Sequence, residues 1–317
     1  MNNLIVEDVV KEKEDLVSVH FDSITSLLSF DENSLKLDRN RERFSELLKT
    51  KEENSGYHRE WLGETNKSYS DVINHALIGD DTLMKNYLDK KIKKLDEVTQ
   101  KNSTAYTQQI QVVKRKSYMT DEGDELCLDK LYSGEIDTAW RKTKRIVIGQ
   151  EQKLVTLFIN IGGHSEVLAE ESFWRSAVAV RICNELESTG KQVQIVVGSG
   201  TSNLFSNYKT FTGSIVVKKY NERITMNRLA AMSHIGFHRT FGFGVKCCTN
   251  LKSNLSTMGR TIEVNQKLIP VHFQEEIESG KIRFVFIDGC LNQSQAVRSL
   301  KNCYKQLEDL TTNKKAA

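Results

Sequence analysis

With 317 residues, the chain is long enough for one large domain or two modest ones around a sizeable core. Its 38% hydrophobic and 27% charged content is that of a polar globular protein, and 45 Lys plus Arg against 42 Asp plus Glu gives no bulk charge for binding nucleic acid, so that role would need a local patch. No window approaches 18 consecutive apolar residues, and the opening MNNLIVEDVVKEKEDL is acidic where a secretory signal is basic and apolar. The expectation is therefore a cytoplasmic chain that neither spans a membrane nor leaves by that route.

Residues 1–55 are heavily charged and weakly amphipathic, with one small apolar cluster at Phe21, Leu27, Leu28 and Phe30 and a solvated helix predicted over 38–53. They are expected to be weakly ordered or to contact a partner. A short helix is predicted from Ser70 to Gly79, and a longer one over 80–98 with Leu83, Tyr87, Leu88, Ile92 and Leu95 on one stripe. Lys90, Lys91, Lys93 and Lys94 fall outside that stripe and read as a solvated face. Beyond a polar linker at 101–109, strands are predicted over 110–116, 125–131 and 140–148, completing a helical and β-rich region over 56–150. Trp140, Arg141, Lys142, Lys144 and Arg145 form the densest positive patch in the chain, and basic residues beside an aromatic are the chemistry of single-stranded nucleic-acid binding.

From about 151 the rhythm becomes strand and helix in alternation. Strands are predicted at 154–160, 192–197, 214–218 and 282–287, and helices at 171–188, 226–233, 273–278 and 294–310, with a polar loop over 198–207. This pattern predicts a Rossmann-like α/β sheet over 151–317 with helices on both faces. Pro270 is the only proline, and no internal repeat has a fixed period. The six cysteines, Cys127, Cys183, Cys247, Cys248, Cys290 and Cys303, form no C-x-x-C pair and no zinc spacing. Cys183, Cys290 and Cys303 read as small buried hydrophobes in a reduced compartment.

The apolar strand Leu154–Asn160 breaks into Ile161-Gly162-Gly163-His164-Ser165, at the strand end where open α/β sheets place ligands. The third glycine of a dinucleotide-binding loop is missing, and Glu166, Glu170 and Glu171 would repel a pyrophosphate at the helix entrance. The strand followed by this loop, with Ile287-Asp288-Gly289 ending a later strand, resembles the von Willebrand factor A domain. In that family the first strand ends in D-x-S-x-S, which holds a divalent metal, and a later strand ends in T-D-G. Here Asn160, Gly162 and His164 stand at those positions, so one carboxylate and two hydroxyls are gone. Ser165, Asp288 and Thr225 remain as oxygen donors, and the resemblance implies a degenerate, metal-free site with no cofactor.

Further segments, Ser68-Tyr69-Ser70-Asp71, Trp174-Arg175-Ser176-Ala177 and Met226-Asn227-Arg228-Leu229-Ala230, make the chain similar to an uncharacterised family of degenerate von Willebrand A-like proteins of bacteriophages and bacteria. That likeness implies a non-enzymatic protein-interaction module, an adaptor for an AAA+ ATPase of the MoxR or cobaltochelatase kind. Two other readings stay open. One is a nucleic-acid-associated phage protein using the Trp140 patch, and the other a hydrolase built on Ser165, Asp288 and His234. Arg228, His234, His238 and Arg239 form a further cluster, read as capping and salt-bridging groups at a helix C-terminus.

Overall fold

The computed structural model describes residues 10–13, 16–27, 82–99, 113–120, 125–135, 138–147, 154–163, 167–201, 210–238, 245 and 269–312. Of the expected elements, the helices at 38–53 and 70–79 lie outside these residues. The chain divides into two units, residues 1–102 with 153–317, and residues 103–152. The observed break at 152/153 lies beside the expected one at 150, and residues 1–102 fall in the larger unit.

In the larger unit, β1 (Val10–Lys13) and β2 (Leu16–Phe21) are followed by α1 (Thr82–Thr99). After residue 153 come β6 (Leu154–Asn160), α3 (Ala169–Ser188), β7 (Val193–Thr201), β8 (Thr210–Lys218), α4 (Met226–Ser233), α5 (Ile235–Phe237), α6 (Val271–Glu278), β9 (Ile282–Ile287) and α7 (Gln293–Thr312). The smaller unit supplies β3 (Val113–Thr120), β4 (Glu125–Leu126), α2 (Leu128–Tyr132) and β5 (Trp140–Val147).

The main sheet has the order β1-β2-β8-β7-β6-β9. β6 runs parallel to both β7 and β9, β8 is antiparallel to β7, and β2 lies parallel to β8. Crossover α3 joins β6 to β7, as a buried parallel pair requires. Residues 198–201 extend β7 into the predicted polar loop and 210–213 lengthen β8, since each gains a ladder partner in the other. Within the N-terminal segment expected to be weakly ordered or to contact a partner, β1 and β2 extend this sheet by two strands. Val17, Val19 and Phe21 alternate toward the main core, a period-2 pattern short enough to be masked by the surrounding charge.

Both faces carry helices. Val155, Leu157 and Ile159 point into the larger core with α3, α4 and α7, and α1 packs outside these through Leu88 and Leu95. Phe158, Val196, Val216 and Phe286 point the other way, onto Phe273 of α6. Lys91, expected on a solvated face, reaches Glu170 at 3.1 Å and lies 5.2 Å from the Trp174 ring centroid, so it ties α1 to α3. Arg181 and Asp96 make a second tie at 3.2 Å. At the sheet end, β9 has its Phe286 backbone closed by the Gln306 amide of α7, which accepts from Phe286 N at 2.9 Å and donates to Phe286 O at 3.0 Å. A side-chain amide thus stands where another strand would pair. Cys183, Cys290 and Cys303 are buried, and burial pushes the Cys183 and Cys290 thiols up to about 12.

In the smaller unit, β5 pairs antiparallel with both β3 and β4. The strand expected over 125–131 ends after two residues, and 128–132 turn into helix α2. Gly134, at φ +83°, lets the chain leave that helix. Among the described residues, no helix is long and apolar enough to cross a membrane.

Candidate functional site

β6 and β9 are parallel neighbours with Ile159 opposite Ile287, so the next residues, Asn160 and Asp288, sit side by side at one edge of the sheet. The sequence reading required this juxtaposition. Asn160 closes its own turn, its Oδ1 accepting from Gly162 N at 3.0 Å. His164 and Ser165 lie outside the described residues. Thr225 is the residue that precedes α4.

Sequence reasoning missed the principal group at this edge. Arg175, in the second turn of α3, is completely buried, and its Nη1 donates to the carbonyls of Asn160 at 2.8 Å and Gly162 at 2.6 Å. Its Nε and Nη2 have no hydrogen-bond partner among the described residues. Burial lowers the guanidinium pKa from 12.5 to about 10, so the group is charged at neutral pH. A fixed cation therefore grips the carbonyls of the strand-end loop from inside. The only hint in the sequence is an arginine set among the apolar residues Phe173, Trp174, Ala177 and Val178.

Asp288 is half-buried, and burial raises its carboxyl above the usual range, against a hydrogen bond from Asn302 and the charge of Arg298. Asn302 and Arg298 both belong to α7. His234 breaks the helix with extended backbone (φ −67°, ψ 142°), so His234 and His238 are not one turn apart on a continuous helix. The His234 ring caps α5, its Nδ1 accepting from Gly236 N at 3.0 Å, which occupies the lone pair a general base would use. Arg239 lies outside the described residues.

A second constellation was invisible in the sequence because its members are 194 residues apart. His20 Nδ1 lies 2.9 Å from Ser214 Oγ across the β2–β8 ladder, and His20 Nε2 lies 3.5 Å from Asp22 Oδ1. The residue types are those of a serine hydrolase, but their burial is inverted. Ser214 has no exposed surface, whereas the Asp22 side chain is 86% exposed. A nucleophile must meet substrate and its orienting acid is normally sequestered. The array instead fastens the β2–β8 seam, with His20 edge-on to Phe273 at 4.8 Å. The hydrogen bond from His20 holds the Asp22 carboxyl below its ordinary value.

In the smaller unit, the ladder divides the Trp140 patch between two faces. Trp140, Lys142 and Lys144 alternate with Arg141, Thr143 and Arg145, and Lys116 stands opposite Lys144 as Arg115 stands opposite Arg145. Trp140 is half-buried and Arg141 exposed. Leu128, Leu131 and Tyr132 of α2 are also exposed, Tyr132 by 85%.

Residues 7–311 match a family described as a domain of unknown function, DUF7192. No curated protein and no solved structure matches the chain.

Proposed function

The chain belongs to the DUF7192 family, and we propose that it is a von Willebrand A-like, non-enzymatic protein-interaction module, an adaptor for a MoxR- or cobaltochelatase-type AAA+ ATPase in a phage or bacterium. The observation that carries this reading is the buried Arg175 guanidinium bonded to the Asn160 and Gly162 carbonyls. At the strand end where the resemblance places a metal ion, the protein supplies its own positive charge, from beneath the loop and at fixed geometry. Asn160 turns its side-chain oxygen onto the backbone, and Asp288 is held in surroundings that favour its neutral form. Among the described residues this edge presents fixed backbone carbonyls and no activated nucleophile, which suits docking better than turnover. The exposed Leu128, Leu131 and Tyr132 give the smaller unit apolar surface of the kind that partners cover.

The reading is tested by capturing the tagged full chain from its native host cell and reconstituting it with the ATPase that co-purifies. A defined complex is expected by light scattering, with an altered ATP hydrolysis rate, formed equally well with Mg²⁺-loaded and chelator-treated chain. Micromolar Mg²⁺ binding by the isolated chain, or no AAA+ protein among the captured partners, would sink it.

A further inference from the structure

Residues 103–152 carry eight basic and eight acidic residues, so the unit is neutral as a whole. The ladder shows that this neutrality conceals a separation. β3 and β5 hold seven of the eight basic residues and none of the acidic ones. The eighth, Lys130, is taken by Glu135 at 3.2 Å.

Register then sorts the seven cations. Lys114, Lys116, Lys142 and Lys144 fall on one face, together with Tyr118 and Trp140, and Arg115, Arg141 and Arg145 fall on the other. Glu125 of β4 pairs with Arg141 on the arginine face, so the lysine face has no acidic residue in register. The Lys116–Lys144 pair stands four strand residues, or roughly 13 Å, from the Thr120–Trp140 pair that ends the ladder.

Like charges directly opposite each other destabilise a ladder, yet Lys116–Lys144 and Arg115–Arg145 are consecutive like-charge pairs. An anion lying along the ribbon removes that repulsion. Tyr118 and Trp140 occupy diagonal positions on the lysine face, Tyr118 opposite Lys142 and Trp140 two residues before Lys142 on β5. Cations at strand spacing interleaved with aromatics fit a single strand, whose phosphates meet the lysines while its bases stack. An acidic peptide would use the charges but not the rings, and a duplex keeps its bases stacked on one another.

We propose that the lysine face of the β3–β5 ribbon binds single-stranded nucleic acid, in addition to the adaptor role of the chain and independently of it.

The test uses the full chain and a fluorescein-labelled 20-nucleotide oligo(dT), with anisotropy read from 50 to 200 mM NaCl. Wild-type chain is expected to bind with an affinity that falls as salt rises. Changing Lys114, Lys116, Lys142 and Lys144 to Gln should reduce the slope of log K against log salt by roughly 2.8, about 0.7 for each lost phosphate contact. Arg115→Gln/Arg145→Gln should leave most of the slope in place. Tyr118→Ala should weaken binding roughly 5- to 150-fold with the slope unchanged, as lost stacking does. Circular dichroism melts of each variant establish that the ribbon is folded. Should the lysine variant unfold, single Lys→Gln changes give the same slopes one contact at a time. The proposal is overturned by no binding at 50 mM NaCl, by equal losses from the two faces, or by equal affinity for duplex DNA or polyglutamate.

Discussion

Replacing Arg175 by Met sets two opposing effects against each other at the strand-end loop. The buried charge is costly. A guanidinium whose pKa falls from 12.5 to about 10 on burial resists being charged inside the protein by roughly 3 kcal/mol, and the substitution recovers that amount. Against it stand two charge-assisted hydrogen bonds, at 2.8 Å and 2.6 Å, each worth about 1.5–3 kcal/mol. The Asn160 and Gly162 carbonyls would also lose this buried donor. The bonds, together about 3–6 kcal/mol, win by up to about 3 kcal/mol, so Arg175→Met should lower Tm by up to roughly 6 °C for a unit of this size. Arg175→Lys should melt lower still, because it keeps the buried charge and cannot reproduce the planar donor geometry. Thermal melts followed by circular dichroism decide the order. Arg175→Met melting above wild type would show that the guanidinium does not hold the loop, and Lys equal to Met would show that only packing volume matters there.

Two further outcomes follow from the same sheet. A Cβ at Gly198 would lie 2.4 Å from Phe158 Cζ and 2.8 Å from the Gly213 carbonyl, so Gly198→Ala should cost about 2–3 kcal/mol in urea unfolding. Adding Phe158→Leu removes the ring but not the carbonyl, so the double variant should be less destabilised than the sum of the singles, and strict additivity would refute the clash. For Asp288, burial raises the folded pKa above 3.8, so the folded state holds this proton more tightly than the unfolded chain. Its contribution to stability is greatest below pH 3.8 and is lost as pH rises through the folded value. Asp288→Asn should therefore be more stable than wild type at pH 7, with the difference shrinking on acidification, and a less stable variant at pH 7 would show that Asn302 and Arg298 outweigh the burial.

Much of the sheet could be read directly because its strands are short, β-branched and bounded. Strands 154–160 and 282–287 and the helix at 226–233 carry the expected limits. The errors fall where a tertiary partner overrides local pattern. Residues 198–201 and 210–213 look like loop until each supplies the other's ladder, and residues 10–21 look like a charged tail until β2 finds β8. The 125–131 segment fails the other way, because its apolar residues serve a five-residue helix. Of the site, the pairing of Asn160 with Asp288 was legible, since parallel strands bring their carboxyl ends to one edge. Arg175 was not, because an arginine on an apolar helix stripe is identical in sequence whether it snorkels to solvent or turns inward.

The smaller unit shows why a charge count can mislead. Net charge determines the field at a distance, where positive and negative groups merge, but a ligand in contact meets only the groups within about a screening length. Reading residues 141–145 as a linear cluster gives four cations beside a tryptophan. Strand geometry redistributes that cluster. Alternation sends Arg141 and Arg145 to the opposite face from Lys142 and Lys144, which weakens the cluster as it was drawn. The antiparallel partner then restores the charge from β3, adding Lys114 and Lys116 to the lysine face. A composition that excludes a polyanion site for the whole chain is thus compatible with one on a single face of a three-stranded sheet, and only the register distinguishes the two.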